Sequence, residues 1–170
     1  MDLLLTDRTV MKEIQNIDLE EVKELYLNPV VRKYLGGPRD EDSMAALFEG
    51  MQTSDEKFLY LVVREKGTNH FIGLVSLDPH HDGENIEISY QFLPRWWGKG
   101  YGSEIVEEVV GYAFNEMNLQ KITAETQMAN VYSCRLLEKT GMKLEKTLSR
   151  FGETQCIYSI RPNERRIYIG

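Results

Sequence analysis

Gly98, Gly100 and Gly102 fall within five positions of the stretch PRWWGKGYGSE, Pro94 to Glu104. A strand-like run precedes them and a helix-like run follows. The first turn of a helix carries N–H groups without partners, at the positive end of its dipole. Glycines before that turn remove side chains that would shield those groups, so an anion can lie on the backbone. Each charge-assisted bond contributes about 1.5–3 kcal/mol, and a few suffice for micromolar binding. The Walker spacing fails, because Lys99 is followed by Gly100 and the residue five before Gly98 is Leu93. The dinucleotide pattern G-x-G-x-x-G also fails, because the third glycine comes one place early and no β-α-β-α series surrounds it. A tight strand-to-helix turn with no ligand is the competing reading.

Two other clusters carry reactive residue types. His80-His81 lies between Asp78 and Asp82. That spacing fits no closed metal site and reads as a polar hairpin loop that could line an acceptor site. Cys134 follows Ser133, with no histidine nearby in sequence, and reads as a buried thiol rather than a nucleophile.

The elements that must position the glycines follow from periodicity. Leu3 to Leu5 is a short strand. Leu19, Val22, Leu25 and Tyr26 recur at helical spacing over Asp18 to Tyr26, with Asp18 as N-cap. Asn28-Pro29 ends that helix, and a short turn over Val30 to Leu35 stops at Gly36-Gly37-Pro38. A helix covers Asp42 to Met51. Strands Phe58 to Arg64 and Phe71 to Leu77 flank KGTNH as a hairpin. Asn85 to Leu93 alternates, with Ile86, Ile88, Tyr90 and Phe92 on one face and Glu87, Ser89 and Gln91 on the other. Ser103 to Met117 is the strongest helix, with an apolar stripe through Ile105, Val109 and Ala113 and acids in its first turns. A strand over Lys121 to Thr126, a helix over Asn130 to Lys139 ended at Gly141, and strands Lys143 to Ser149 and Gln155 to Ile160 complete an α+β order.

The chain has 170 residues, 42% hydrophobic and 28% charged, which fits one domain with its own core. No apolar run reaches the length of a membrane span, and the start shows no signal-peptide pattern, so a soluble cytoplasmic protein is expected. A net charge of −7 disfavours nucleic acid as a partner and mildly favours cationic ones. Two cysteines, Cys134 and Cys156, form no C-x-x-C and read as reduced thiols.

The segment Arg95-Trp96-Trp97-Gly98-Lys99-Gly100 matches Q/R-x-x-G-x-G/A. It resembles the acyl-coenzyme A pyrophosphate loop of the GNAT acetyltransferases. IEISYQFLPRWWGKGYGSEIVEEVVGYAF is similar to that family's strand–loop–helix core. NVYSCRLLEKTGM resembles the N-x-x-S…L-E-K-x-G-F signature of its ribosomal-protein N-terminal acetyltransferase (Rim-type) branch, with Met142 in place of Phe. NPVVRKYLGGP is similar to that branch's first-helix exit. The resemblance covers roughly residues 18 to 145.

The resemblance implies a single GNAT domain over residues 1–170. Its fold would be a mixed, mostly antiparallel seven-stranded sheet with about four helices, splayed between the fourth and fifth strands, here Asn85–Leu93 and Lys121–Thr126. It implies acetyl-CoA as cosubstrate, no metal, and direct transfer to a primary amine, either a protein N-terminus or a small molecule. A homodimer is compatible, whereas nucleic acid and membrane are not expected. Gly98, Lys99, Gly100, Tyr101, Gly102 and Ser103 would hold the pyrophosphate, with added charge from Arg95 and Lys99. Unpaired backbone groups near Phe92 and Leu93 would meet the pantetheine amides like an added strand. An N–H near Phe92 would polarise the thioester carbonyl.

Glu87 is the expected base, acting through water; an exposed strand carboxylate is the alternative. Asn130 would contact the pantetheine arm, or serve simply as an N-cap. Many relatives place a tyrosine acid seven residues after that asparagine, where this chain has Leu137. The acid role, or hydrogen bonding to the thiolate, then falls to Ser133; a helix-surface serine is its alternative. The missing tyrosine also supports a rival class, a noncatalytic acyl-CoA-binding module.

Overall fold

In the computed structural model of the protein, the described residues are 3–53 and 58–165. They form two compact units. The first comprises Met1–Asp78 with Ser89–Tyr101, and the second Pro79–Ile88 with Gly102–Gly170.

In the first unit β1 (Leu4–Leu5) and β2 (Thr9–Glu13) precede α1 (Leu19–Leu27) and α2 (Glu41–Gln52). β3 (Leu59–Glu65), β4 (Phe71–Pro79) and the later half of β5 (Ile86–Phe92) follow. The order is β1-β2-β3-β4-β5. β2 was not expected, and it raises the strand count from seven to eight. Its five residues, TVMKE, are too short for a local pattern. Its ladder is non-local, pairing Thr9 with Glu65 and Glu13 with Leu61 across both helices. Every residue of β4 from Phe71 to Leu77 is buried, so this strand reads as a continuous apolar run. Gly73 lets it approach β5 closely, because a Cβ there would collide with the Gln91 carbonyl oxygen.

Asp18 stands at the N-cap position of α1 but does not cap it. A 3-10 turn over Asn16–Asp18 comes first. The Asp18 carboxylate accepts from the Gln15 N–H at 2.8 Å and from Arg64 at 2.9 Å. Asp40 does cap α2, accepting from the Ser43 N–H at 2.8 Å. The segment after α1 is a series of turns started by Asn28, whose side chain accepts from the Val30 N–H at 2.9 Å. The KGTNH hairpin forms as expected, with Gly67 and Asn69 at positive φ.

The second unit holds the start of β5, α3 (Tyr101–Asn115, mostly within it), β6 (Ile122–Gln127), α4 (Val131–Lys139), β7 (Lys143–Arg150) and β8 (Glu153–Ile160). The order is β5-β6-β8-β7. β6 pairs antiparallel with β8 along its whole length, from Ile122↔Ile160 to Gln127↔Gln155. The parallel ladder of β5 with β6 has only two rungs, Ile86↔Ile122 and Glu87↔Thr123. These two strands are the pair expected to diverge. The predicted stripe of α3 is buried: Ile105, Val106, Val109, Val110 and Ala113 are each at most 3% exposed. Burying each such side chain stabilises the fold by about 1.5–3 kcal/mol before the ordering cost, Ala113 less. Among the described residues no helix is long and apolar enough to cross a membrane.

Candidate active site

The residues expected to act fall in two groups, one mostly in the first unit and one in the second. The first surrounds the glycines. Pro94–Trp96 makes a 3-10 turn after β5. Gly98 and Gly100 then take φ of 72° and 84°, a left-handed conformation in which a Cβ is strained. A Cβ at Gly98 would otherwise meet open space. The expectation for Gly102 and Ser103 needs adjusting. α3 begins at Tyr101, two residues early, so both lie in its first turn and are buried. The loop proper is therefore Gly98–Gly100, followed directly by a helix start. That cradle suits an anion: two glycines no side chain could replace without strain, beside the positive end of a dipole.

The two tryptophans divide as residue burial dictates. Trp96 is buried and donates its indole N–H to the Phe71 carbonyl at 3.0 Å. Trp97 is 38% exposed and donates to the Phe92 carbonyl at 2.8 Å. The backbone at Leu93 is not unpaired as expected. Its N–H donates to the Ile72 carbonyl at 2.9 Å and its carbonyl accepts from the Trp96 N–H at 3.0 Å. Arg95 and Lys99 are exposed, each 5.8 Å from the Trp96 ring centre. The sequence reading missed Arg8, which donates to the Lys99 carbonyl at 3.0 Å. Nothing near Arg8 in sequence signals this contact.

A second polar cluster lies in the same unit. Arg32 is buried and donates to the carbonyls of Leu35 at 2.6 Å and Gly37 at 3.1 Å, and to Gln91 at 3.3 Å. Burial lowers its pKa. Tyr60 donates to Asp78 at 3.3 Å, and burial together with that carboxylate pushes its phenol up.

In the second unit Glu87 is half-buried, and its Oε2 accepts the backbone N–H of Glu125 at 3.1 Å. Glu125 was not expected to matter. One of its carboxylate oxygens takes Arg150 at 2.7 Å and His80 Nε2 at 2.8 Å, and its side chain is only 8% exposed. His80 is thus a buried strut at the start of the expected polar loop, whose residues 81–84 are exposed. Its Nδ1 accepts from the Asp82 N–H at 3.2 Å. Burial opposes the ionised form of Asp82. The Asn85 amide and the N–H groups of Glu84 and Asn85 outweigh it and hold the carboxyl far below the usual range.

Asn130 caps α4, accepting from the Ser133 N–H at 3.2 Å. Ser133 is buried, which removes the helix-surface reading. Leu137 is 1% exposed, so the position of the missing tyrosine belongs to the core. Tyr132 is 47% exposed. Both cysteines are free; Cys156 is buried and Cys134 only half-buried. Burial pushes the Cys156 thiol up, with Cys134 adding to the shift.

This chain belongs to the GNAT acetyltransferase family. The model of the acetyltransferase (GNAT) domain matches residues 8–143. The N-acetyltransferase YnaD of Bacillus subtilis (strain 168) is 31% identical over 142 residues, 82% of each chain. YkkB of the same organism is 28% identical over 170 residues, 97% of this chain and 96% of the relative. Among solved structures, a GNAT-family acetyltransferase from Bacillus anthracis has a TM-score of 0.83 at 26% identity, covering 95% of this chain and 99% of that one. A spermidine N-acetyltransferase from Vibrio cholerae, solved with CoA and spermine, has a TM-score of 0.81. At 20% identity over 92% of this chain and 96% of its own, it shares the fold. The protein is an N-acetyltransferase by its family, which counts against the noncatalytic rival.

Proposed function

We propose that the chain, as one catalytic domain over residues 1–170, transfers acetyl from acetyl-CoA directly to a primary amine, a protein N-terminus or a small cationic amine. The observation that carries the cofactor reading is the pair of left-handed glycines, Gly98 and Gly100, immediately before α3. When bound, acetyl-CoA supplies an activated thioester. Gly98 to Ser103 hold its phosphates, with charge from Arg95 and Lys99, and Asn130 meets the pantetheine arm.

The acceptor must lose a proton. At pH 7 a lysine-like amine of pKa about 10.4 costs about 4.6 kcal/mol to deprotonate, and a peptide α-amine about 1 kcal/mol. Glu87, through water, is the base in this reading, and Ser133 the hydrogen-bond donor to the departing sulfur. The Rim-type motif around Asn130 and Ser133 supports protein N-termini as acceptors. The net charge of −7 suits any cation.

The test is thiol release from acetyl-CoA across a panel of peptide N-termini, polyamines and aminoglycosides. Acceptor-dependent release with one class at least about tenfold above the rest, a difference of about 1.4 kcal/mol, identifies the substrate. No acceptor-dependent release with any amine of the panel would refute the proposed acceptor classes.

A further inference from the structure

The glycine loop is completed by a residue that lies outside its motif. Arg8 sits in the turn between β1 and β2, 91 positions before Lys99, and is exposed. Its Nη1 donates to the Lys99 carbonyl at 3.0 Å. Its central carbon stands 3.9 Å above the Tyr101 ring centre. A Cβ at Gly100 would lie 3.4 Å from Nη2. One guanidinium therefore spans three consecutive residues, from the second loop residue to the first residue of α3.

Both ends of this brace are anchored. The Arg8 carbonyl accepts from the Lys66 N–H at 2.8 Å. Tyr101 is buried, donates its hydroxyl to Glu65 at 2.9 Å and meets the Trp96 ring edge-on at 5.4 Å. A trans peptide is planar, with C=O and N–H pointing opposite ways. Holding the Lys99 carbonyl on Arg8 therefore turns the Gly100 N–H away from Arg8.

The charge pattern points to the same role. Arg8 lies against Tyr101, the first residue of α3, and Lys99 comes two positions before it, beside the end of a helix that favours an anion. Glu65, a carboxylate beside Tyr101, is engaged by Thr68 and by the Tyr101 hydroxyl. In a chain of net charge −7 this basic cluster stands against the overall balance.

We propose that Arg8 is a positioning residue for phosphate binding: it fixes the orientation of the Lys99–Gly100 peptide and adds positive charge beside it. The inference rests on the reading of Gly98–Ser103 as the pyrophosphate site. A purely structural brace would lower stability and leave ligand discrimination unchanged. A phosphate-positioning role changes affinity for CoA and spares pantetheine, which lacks the phosphates.

Calorimetric titration of the wild type, Arg8→Ala, Arg8→Gln and Arg8→Lys with CoA and with pantetheine separates these roles, with thermal unfolding as a check on folding. Arg8→Ala and Arg8→Gln are expected to weaken CoA binding about tenfold, a loss of about 1.4 kcal/mol. Both should flatten its salt dependence and leave pantetheine affinity unchanged. Arg8→Lys recovers part of the loss, since an ammonium supplies charge without the planar stack. Unchanged CoA affinity in folded variants, or equal losses for CoA and pantetheine, overturns the role of Arg8 alone. If Arg8→Ala and Arg8→Gln do not fold, Arg8→Lys decides by the same criteria. A wild type that binds CoA no better than pantetheine overturns the loop reading as well.

Discussion

Glu87 on β5 accepts the backbone N–H of Glu125 on β6, with 3.1 Å between Oε2 and N. The ladder between these strands ends at Glu87↔Thr123. Glu125 lies two residues past that last rung, so a side-chain carboxylate provides its acceptor beyond the end of the ladder. An N–H left without an acceptor there would carry its full desolvation cost. A carboxylate has lone pairs to spare, so the same group can bond this N–H and still bind a water that relays a proton.

Substitution at Glu87 separates the two duties. Glu87→Gln keeps an acceptor for the Glu125 N–H and loses basicity. Its stability should stay within about 0.5 kcal/mol of wild type, while turnover falls by about 10²-fold, most steeply at low pH where free amine is scarce. Glu87→Ala loses both and should unfold about 1–3 kcal/mol more easily. Urea unfolding and steady-state rates on the two variants check this. Wild-type turnover in Glu87→Gln would leave Glu87 a structural acceptor only.

Asp82 makes a prediction in pH. Its folded pKa is depressed by hydrogen bonds that outweigh burial. A depressed carboxyl adds stability above its unfolded pKa, about 3.9, and loses it as pH falls through the folded value. Solvent screens this partly exposed group, so the gain is about 1 kcal/mol or less. Wild type should therefore melt up to about 2–4 °C above Asp82→Asn at pH 7, and the gap should narrow below about pH 4. Melting curves from pH 7 to pH 3 test this. A gap that stays constant or widens on acidification would show that the Asp82 charge is not the source.

What could be read beforehand follows the range of each interaction. The glycine loop, α3 and the capping of α4 by Asn130 were readable because local spacing encodes them. β2 was not, because its pairing with β3 crosses two helices. The His80–Glu125–Arg150 cluster was also missed. Glu125 sits in KITAET as an ordinary alternating polar residue, and only the fold brings β6 to the loop that carries His80 and to the end of β7 within the second unit. Arg8 is of the same kind, a turn residue whose partner lies 91 positions away.

Leu137 and Ser133 carry the last prediction. Position 137 is where many GNAT enzymes place an acid tyrosine, yet here the leucine is 1% exposed. A phenol put there would overpack the core and strand its hydroxyl. Leu137→Tyr should therefore cost about 1–3 kcal/mol in stability and give no gain in turnover. Ser133 is buried one turn earlier, and its N–H is already fixed by the Asn130 cap at 3.2 Å. Ser133→Ala removes the hydroxyl and keeps that cap. Turnover should fall by about 10²-fold, the low end of the range for one general acid, with the KM for acetyl-CoA nearly constant. Steady-state kinetics on the two variants decide between the positions. If Ser133→Ala matches wild type while Leu137→Tyr is faster, the acid role moves away from Ser133.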